Sequence, residues 1–427
     1  MNRRKVLLGG IGLGAVAVGA AILKRPHDEG APYDDYFRAL NTELKANGPM
    51  QPCMLIDLDR LDHNLAEVTA SVAKVPGRSL RLVEKSLPCA SLLAYAMKKT
   101  GTRRLMSFHQ PFLSADAQAF PDADILLGKP MPARAASLFY RDHKGDFDPA
   151  RQLQWLIDAP EHLHDYLALA QALGTRLRIN LELDVGLHRG GVANNEALDA
   201  LLKVIAANPE HLEFSGFMGY DPHVVKLPKA LGTPAEFFQQ VMTRYHAFVA
   251  FTKRQYAALW QEGVTLNTGG SPTYRMHEAE SLATEVAVGS GLLKASDFDI
   301  PTLATHQPAC FIATPVLKAE HAPLRIPGLE RAGPLFARWD VNKARAYFIY
   351  GGYWMAHYES PRGLQRDELY GHSTNQENVT ASTSVDLKVD DQVFLRPTQS
   401  EAVLLQFGDL LALRGGKIVE QWPVYGG

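Results

Sequence analysis

The segment RINLELD (178–184) is a short, mostly apolar run that predicts a buried strand, and a helical pattern follows it after Asn195. The next run, FSGFMGY (214–220), is again strand-like and precedes a long helical pattern. Six further runs alternate with helical patterns in the same way: Met54–Leu58, Leu80–Glu84, Arg104–Phe108, Asp124–Gly128, Leu153–Asp158 and Thr265–Thr268. Strands that alternate with helices indicate a parallel sheet, and eight such units predict a closed (β/α)8 barrel. The alternative is an open doubly wound sheet, but no GxGxxG motif follows the first strand.

The pattern changes on both sides of this predicted barrel, which we assign to residues 53–305. After about residue 305, short β-like runs are separated by Gly, Asp and Asn turns, and they predict a C-terminal all-β domain over residues 306–427. The polar stretch of residues 26–52 is typical of a linker with one short helix around Tyr33–Ala46. The predicted fold class is therefore α/β: a (β/α)8 TIM-type barrel followed by a C-terminal all-β domain.

The N-terminus differs from the rest of the chain in composition. Two arginines, Arg3 and Arg4, precede the uncharged, Gly- and Ala-rich run Val6–Leu23, a pattern that resembles a twin-arginine export signal. We therefore expect residues 1–25 to direct export to the periplasm, with small residues before a cleavage position after Ala20. The alternative is an uncleaved membrane anchor, because the apolar run is near the shortest length that spans a bilayer.

The overall composition narrows the class of protein. Of the 427 residues, 46% are hydrophobic and 21% are charged, which excludes a disordered chain, a collagen-like chain and a multi-span membrane protein. The net charge of −2 argues against a nucleic-acid partner, because such proteins usually carry a basic excess. The three cysteines, Cys53, Cys89 and Cys310, are too few and too scattered for a disulfide framework or a cysteine-based zinc site.

Reactive side chains lie at the predicted strand ends, where barrels place catalytic groups. Lys85 ends the second strand, and a lysine that loses its charge there can form a Schiff base with an aldehyde cofactor. Alternatively, its ammonium group extends to solvent. Arg189 lies in a glycine-containing loop after the sixth strand, where it can hold an anion or a ring oxygen, or form a salt bridge with Asp184.

The last two predicted strands carry further candidates. In the Gly-Tyr-Asp-Pro-His motif, Tyr220 can stack on a cofactor ring, and His223 is either a general base or a polar surface residue. The Thr-Gly-Gly-Ser-Pro-Thr motif exposes backbone N–H groups at Gly269 and Gly270, with Ser271 as a helix N-cap. Such a helix start binds phosphate, unless it is an ordinary capped turn. A phosphate cradle, an arginine, a tyrosine and a strand-end lysine, in barrel order, are what pyridoxal phosphate needs.

These motifs resemble, in the same order, those of the fold-type III pyridoxal-phosphate enzymes, specifically the D-threonine aldolase and D-serine dehydratase family of the alanine racemase N-terminal barrel superfamily. The resemblance covers roughly residues 50–427 and includes an Asp-Val-Gly-Leu-His-Arg-Gly-Gly-Val stretch at 184–192. It implies that the cofactor is pyridoxal 5'-phosphate and that Lys85 is the Schiff-base lysine. It also implies that the other cofactor-binding residues are Arg189, Tyr220, Gly269, Gly270 and Ser271.

In this family, a Pro-x-His-x-Cys or Pro-x-His-x-Asp motif in the C-terminal domain binds a divalent metal. Here the corresponding stretch is Pro-Thr-Gln-Ser-Glu, with Gln399 in place of the histidine. Glu401 can still hold a hard cation through oxygen, whereas a zinc site of nitrogen and sulfur ligands is not available. A divalent cation at Gln399 and Glu401 is therefore an expectation that the changed ligand set weakens.

The resemblance implies a lyase that acts on small β-hydroxy D-amino acids. The first expectation is retro-aldol cleavage to glycine and an aldehyde, with His223 as the base, and with Gln399 and Glu401 orienting the hydroxyl group. The alternatives are β-elimination to ammonia and a 2-oxo acid, racemisation, a non-catalytic pyridoxal-phosphate carrier and a periplasmic binding protein. The expected partners are the amino acid substrate and, by resemblance, a second copy of the chain in a homodimer. Membrane contact is expected only through the N-terminal segment.

Overall fold

The computed structural model describes residues 25–279, 282–325, 327–368 and 371–426. The predicted export signal, residues 1–25, lies outside the described residues except for Arg25. The chain divides into two compact units: residues up to 55 with 311–397 and 413–419, and residues 56–310 with 398–412 and the stretch from 420. Among the helices of the described residues, none is both long enough and apolar enough to cross a membrane.

Strands and helices are numbered in chain order. The first unit holds most of a nine-stranded sheet. The strands are β1 (Cys53–Asp57), β10 (Cys310–Glu320), β11 (Arg345–Tyr350), β12 (Ala356–Ser360), β13 (Gln365–Arg366), β14 (Gln376–Ala381), β15 (Gln392–Pro397), β16 (Leu410–Arg414) and β17 (Lys417–Trp422). Their order in the sheet is β13-β14-β11-β10-β1-β16-β17, with β15 paired to both β10 and β12. The helices of this unit are α1 (Asp35–Asn47) and α11 (Ala332–Trp339).

Helix α1 supplies part of the core of the first unit. The carboxylate of Asp34 accepts the backbone N–H of Phe37 and so caps the helix start. The Phe37 ring then packs against Phe311 and Phe394, with ring centroids 5.3 and 4.9 Å apart. The helix predicted inside the linker is therefore present and packed. The predicted domain limits stay predictions.

The second unit is built on a closed barrel of eight parallel strands. They are β2 (Ser79–Val83), β3 (Arg104–Ser107), β4 (Asp124–Leu127), β5 (Leu153–Ile157), β6 (Leu177–Glu182), β7 (Leu212–Gly219), β8 (Thr265–Thr268) and β9 (Glu285–Val288). Its helices are α2 (Leu58–Ala73), α3 (Ala90–Thr100), α4 (Gln110–Ala119), α5 (Ala133–Asp142), α6 (Pro149–Gln152), α7 (Pro160–Leu173), α8 (Asn195–Ala207), α9 (Pro234–Gln255) and α10 (Ser290–Leu293). The barrel and the separate antiparallel sheet confirm the predicted fold class.

One barrel strand was assigned wrongly from the sequence. The prediction counted the Met54–Leu58 run as the first barrel strand, but the corresponding strand β1 belongs to the nine-stranded sheet. The barrel instead closes through β9, which pairs with both β2 and β8. Every residue of β1 is buried, and so is every residue of β9. An apolar run that is buried on both faces does not reveal which sheet contains it, which explains the error.

A buried ionic network occupies the barrel interior near the amino ends of its strands. The guanidinium group of Arg81 lies 2.5 Å from a carboxylate oxygen of Glu285 and 2.6 Å from one of Asp124. Asn267 also donates to Glu285, at 2.8 Å. Because buried charges are tolerated only when they are paired, this network fixes the interior below the functional end of the barrel. The carboxyl ends of the strands, where barrels place their sites, are left to form a cavity.

Candidate active site at the carboxyl ends of the barrel strands

A cavity opens where the barrel strands end. Seven of the predicted site residues line it together: Lys85, Arg189, Tyr220, Gly269, Gly270, Ser271 and Glu401. Apolar side chains complete the wall: Val83, Met106, Phe108, Met218 and Phe298. Two predicted site residues, His223 and Gln399, are not part of the lining.

Lys85 extends into this cavity from a 3₁₀ turn, Glu84–Ser86, that directly follows β2. Its Nζ atom lies 3.4 Å from Oε1 of Glu401 and 5.0 Å from the centre of the Phe108 ring. The side chain is 44% exposed, so the amine is accessible to a ligand in the cavity. The amine therefore meets a carboxylate at the position where a reactive aldehyde would be bound.

Glu401 is held in place by hydroxyl groups. It lies in a 3₁₀ turn, Ser400–Ala402, and its Oε2 atom accepts hydrogen bonds from Ser290 at 3.1 Å and Ser400 at 3.2 Å. The hydroxyl group of Ser290 also contacts that of Ser86 at 2.9 Å. One carboxylate oxygen is thus fixed by hydroxyl groups, whereas the other faces Lys85. This arrangement can accept or return a proton beside the amine.

The Gly-Gly-Ser turn after β8 also lines the cavity. The backbone of Gly269 has φ +76°, which favours glycine, and a Cβ atom at Gly270 would lie 2.7 Å from the Tyr220 ring. The Ser271 hydroxyl accepts the backbone N–H groups of Gly289 at 3.2 Å and Gly291 at 2.9 Å. The prediction that Ser271 caps the helix directly after it is wrong, because its hydroxyl holds the start of α10 instead.

Two turns therefore meet at this position, one after β8 and one after β9. Within the described chain, the backbone N–H groups of Ser271 and Ser290 have no hydrogen-bond partner. Both residues line the cavity. Backbone N–H groups that are left unpaired in this way are typical of a phosphate-binding turn.

Asp221 supports the turn from behind, and the sequence reading missed it. Its buried carboxylate accepts the hydroxyl group of Thr273 at 2.5 Å and contacts Nε2 of His277 at 2.9 Å. The His277 ring in turn packs edge-on against Phe238. The only sequence signal is an acidic residue two positions after the buried strand β7, inside the motif whose tyrosine and histidine were the predicted site residues.

Arg189 is positioned by a loop that Asp184 organises. The Asp184 carboxylate accepts backbone N–H groups of Gly186 and His188 and lies 2.6 Å from the His188 ring. Burial raises the pKa of Asp184, but these hydrogen bonds outweigh that effect and lower it overall. Asp184 thus pairs with His188, not with Arg189 as one alternative held. The Arg189 guanidinium lies over the Tyr220 ring at 5.1 Å.

The remaining predicted residues lie elsewhere. His223 is half-buried in a 3₁₀ turn after β7, and burial lowers the pKa of its ring. A Cβ atom at Gly186 would lie 3.2 Å from its Nε2 atom. Gln399 donates its side-chain N–H to Asp297 at 2.9 Å and does not line the cavity. No cluster of three His, Cys, Asp or Glu side chains that could hold a metal ion occurs in the described ranges.

The fold and this site define a known class. The chain belongs to the family described as alanine racemase, N-terminal domain, which matches residues 56–297. This membership confirms the resemblance to fold-type III pyridoxal-phosphate enzymes that the sequence motifs indicate.

Particular relatives can be named within this class. The chain is 24% identical over 399 residues to the 3-hydroxy-D-aspartate aldolase of Paracoccus denitrificans (strain Pd 1222), covering 87% of this chain and 91% of that protein. D-Threonine aldolase from Filomicrobium marinum superposes with a TM-score of 0.66 at 16% identity, covering 88% of this chain and 97% of that one. D-threo-3-hydroxyaspartate dehydratase from Delftia sp. HT23 gives 0.64 at 18% identity, covering 88% and 97%. At this identity the solved structures establish the fold.

Proposed function

We propose that this protein is a pyridoxal-phosphate-dependent lyase that cleaves small β-hydroxy D-amino acids by a retro-aldol reaction, giving glycine and an aldehyde. The observation that carries the proposal is the 3.4 Å approach of Glu401 to the Lys85 amine in the cavity. Ser271 and Ser290, whose backbone N–H groups have no partner among the described residues, line the same cavity. The names of the Paracoccus and Filomicrobium relatives support the aldolase assignment.

The residues present fit pyridoxal phosphate. An amine is needed to bind its aldehyde, and Lys85 supplies one at the strand end. The N–H groups of Ser271 and Ser290 suit its phosphate, while Tyr220 and Arg189 form a wall suited to its ring. When bound, the cofactor withdraws electrons from the carbon that carries the substrate's amino group, so that a bond to this carbon breaks more easily.

The protein's own groups would manage the protons. Glu401 accepts the proton of the substrate's β-hydroxyl group as the bond between the α and β carbons breaks and the aldehyde leaves. Lys85, free as an amine while the substrate occupies the cofactor, would take this proton from Glu401 across their 3.4 Å contact and pass it to the α carbon, which completes glycine and returns both groups to their starting states. Such proton transfers contribute roughly 10²–10⁴-fold to a rate. The hydrogen bonds from Ser290 and Ser400 keep the Glu401 carboxylate oriented for this role.

His223 remains the competing candidate for the base. Its ring is half-buried and contributes nothing to the cavity lining, whereas Glu401 lines the cavity next to Lys85. Separate substitutions at the two positions distinguish them. If His223 is the base, His223→Asn removes activity and Glu401→Gln does not; the proposed role of Glu401 predicts the reverse.

Elimination of the β-hydroxyl group is the second candidate reaction, and the Delftia dehydratase supports it. It uses the same groups, except that Glu401, once protonated, would donate its proton to the leaving hydroxyl group. A racemase and a non-catalytic carrier would use Lys85 without a β-oxygen partner. No step is assigned to a metal ion, because Gln399 is bonded to Asp297 outside the cavity lining, and the described residues hold no cluster of three His, Cys, Asp or Glu side chains.

The test is product analysis with the purified protein and added pyridoxal phosphate. D- and L-isomers of threonine, 3-hydroxyaspartate and serine are supplied with and without a chelator. Glycine plus an aldehyde, formed only from D-isomers and with the chelator present, is the expected result. Ammonia plus a 2-oxo acid identifies the dehydratase. If neither set of products forms, the protein is a racemase or a carrier, and only a racemase inverts the configuration of the supplied amino acid.

We further propose that residues 1–25 direct export to the periplasm and that the protein forms a homodimer. The arginine pair before an apolar run supports export, and the resemblance to the family supports the dimer. Cell fractionation and light scattering test these two points separately from the reaction.

A further inference from the structure

Helix α11 in the first unit presents an apolar face to solvent. Gly333 is the only residue of this helix that is buried, whereas Leu335, Phe336 and Trp339 are 62%, 53% and 47% exposed. At about 100° per residue, these three side chains share one face of the helix. Leu329, which precedes the helix, is also 62% exposed. A helix on the surface of a globular protein normally turns such a face inward, so this face requires another explanation.

Arginine side chains flank the apolar face. Arg331 and Arg338 are exposed, and within the described residues neither forms an ion pair. Arg325 is exposed in the loop before them. An apolar stripe with Trp and Phe, bordered by unpaired cations, is the pattern of a helix that lies in the interface of a membrane.

Arg25, the first described residue, contacts this helix. The guanidinium group of Arg25 donates a hydrogen bond to the backbone carbonyl of Trp339 at 3.1 Å. The uncharged run Val6–Leu23 ends two residues before Arg25. The run is about as long as the shortest segment that spans a bilayer.

We propose that the α11 surface, defined as Leu329, Leu335, Phe336 and Trp339 with Arg331 and Arg338, lies on an anionic phospholipid bilayer. The proposal takes the alternative in which the uncharged run is kept rather than cleaved after Ala20, so that it anchors the chain and brings the α11 surface to the same bilayer. The apolar side chains enter the headgroup region, and the arginines contact lipid phosphates. The proposal is independent of the proposed reaction, because every residue that carries it lies outside the barrel unit.

The test uses the full-length chain with one fluorescent reporter. All three native cysteines are buried, so Leu335→Cys can be labelled selectively with an environment-sensitive dye. Leu231→Cys, at a residue that is 68% exposed in the barrel unit, is the control position. Vesicles of phosphatidylcholine with and without phosphatidylglycerol are added, and vesicle flotation measures binding independently of the dye.

With phosphatidylglycerol vesicles we expect a blue shift at position 335 and none at position 231. The double variant Arg331→Glu/Arg338→Glu should lower the ratio of protein with its α11 surface on the bilayer to protein without this contact about 30-fold or more, at roughly 1 kcal/mol per cation. Lys98→Glu/Lys144→Glu makes the same charge change in the barrel unit and should leave the shift unchanged. Circular dichroism checks that each variant is folded.

Three results overturn the proposal. The first is that the chain floats with the vesicles while the emission of the dye at position 335 does not shift. The second is that the emission shift is the same with pure phosphatidylcholine vesicles and does not change when the two arginines are replaced. The third is that the emission shift occurs without vesicles. A shift that then rises with protein concentration means that a second copy covers the α11 surface. A shift that is independent of concentration means that the chain's own N-terminal segment covers it.

Discussion

Replacement of Glu401 by glutamine tests the chemical role assigned to its carboxylate. The substitution keeps the shape of the side chain and an oxygen that can accept the hydrogen bonds of Ser290 and Ser400. It removes the negative charge 3.4 Å from the Lys85 amine and the ability to accept a proton. The perturbation is therefore directed at proton transfer and leaves packing largely unchanged.

The structure gives different magnitudes for stability and for catalysis. The Lys85 and Glu401 side chains are 44% and 27% exposed, so solvent screens their attraction. The pair then contributes only about 0–1 kcal/mol to the free energy of unfolding. Loss of a proton acceptor costs roughly 10²–10⁴ in rate, or about 3–5 kcal/mol in the activation barrier. We therefore expect kcat to fall at least 100-fold with little change in Tm.

The assay measures glycine formation from D-threonine or D-3-hydroxyaspartate, with the visible absorbance of the bound cofactor recorded in parallel. Glu262→Gln, at an exposed glutamate away from the cavity lining, is the matched control and should retain full activity. Cofactor absorbance should persist in Glu401→Gln, because Lys85 is intact. Unchanged kcat in this variant would refute the proton-transfer role of Glu401, as would loss of the bound cofactor together with activity.

Three further predictions concern the Gly-Gly-Ser turn and a buried carboxyl group away from the cavity lining. Ser271→Ala removes a hydroxyl group that accepts two backbone N–H groups, so pyridoxal phosphate should bind about 10-fold or more weakly in a fluorescence titration; unchanged affinity contradicts the proposed cradle. Gly270→Ala forces a Cβ atom to 2.7 Å from Tyr220, and it should lower stability by about 1–3 kcal/mol in urea unfolding. Asp116 is buried and is bonded to Tyr425 at 2.7 Å; burial raises its pKa to about 7. Because the folded state holds this proton more tightly than the unfolded state, stability should fall as pH rises from about 4 to about 7. Asp116→Asn should reduce this loss of stability with rising pH. If the pH profile of Tm is the same in the variant, the role assigned to Asp116 is wrong.

The barrel was predictable because its signal is repeated. Strand-like runs alternate with helical patterns across more than 200 residues, and this periodicity survives an error in any one element. The membership of β1 was not predictable, since its apolar run contains nothing that selects between two sheets. The choice depends on tertiary pairing, in which β9 supplies the strand between β8 and β2.

The site was predictable as far as it follows from strand ends. Parallel strands bring their carboxyl ends together, so residues such as Lys85, Arg189 and Gly269 meet in one cavity although they are far apart in sequence. Hydrogen-bond partners were not predictable in this way. Asp184 had both His188 and Arg189 within reach in sequence, and only the loop conformation selects His188.

Side chains from behind the site and from distant segments carried even less signal. Asp221 acts through Thr273 and His277, which lie about 50 residues further along the chain. The sequence predicted Glu401 as a metal ligand and, with Gln399, as a group that orients the substrate hydroxyl, but not as the partner of Lys85. Its approach to Lys85 depends on the 398–412 segment belonging to the barrel unit, which no local pattern indicates.

The central claim is that Lys85 binds pyridoxal phosphate at the carboxyl end of β2. The most direct measurement reduces the loaded protein with borohydride, digests it and locates the pyridoxyl group by mass spectrometry. We predict a single modified peptide that contains Lys85, and no modified peptide in Lys85→Ala. A pyridoxyl group on a different lysine, or none in a protein that still forms glycine and aldehyde, would contradict the account.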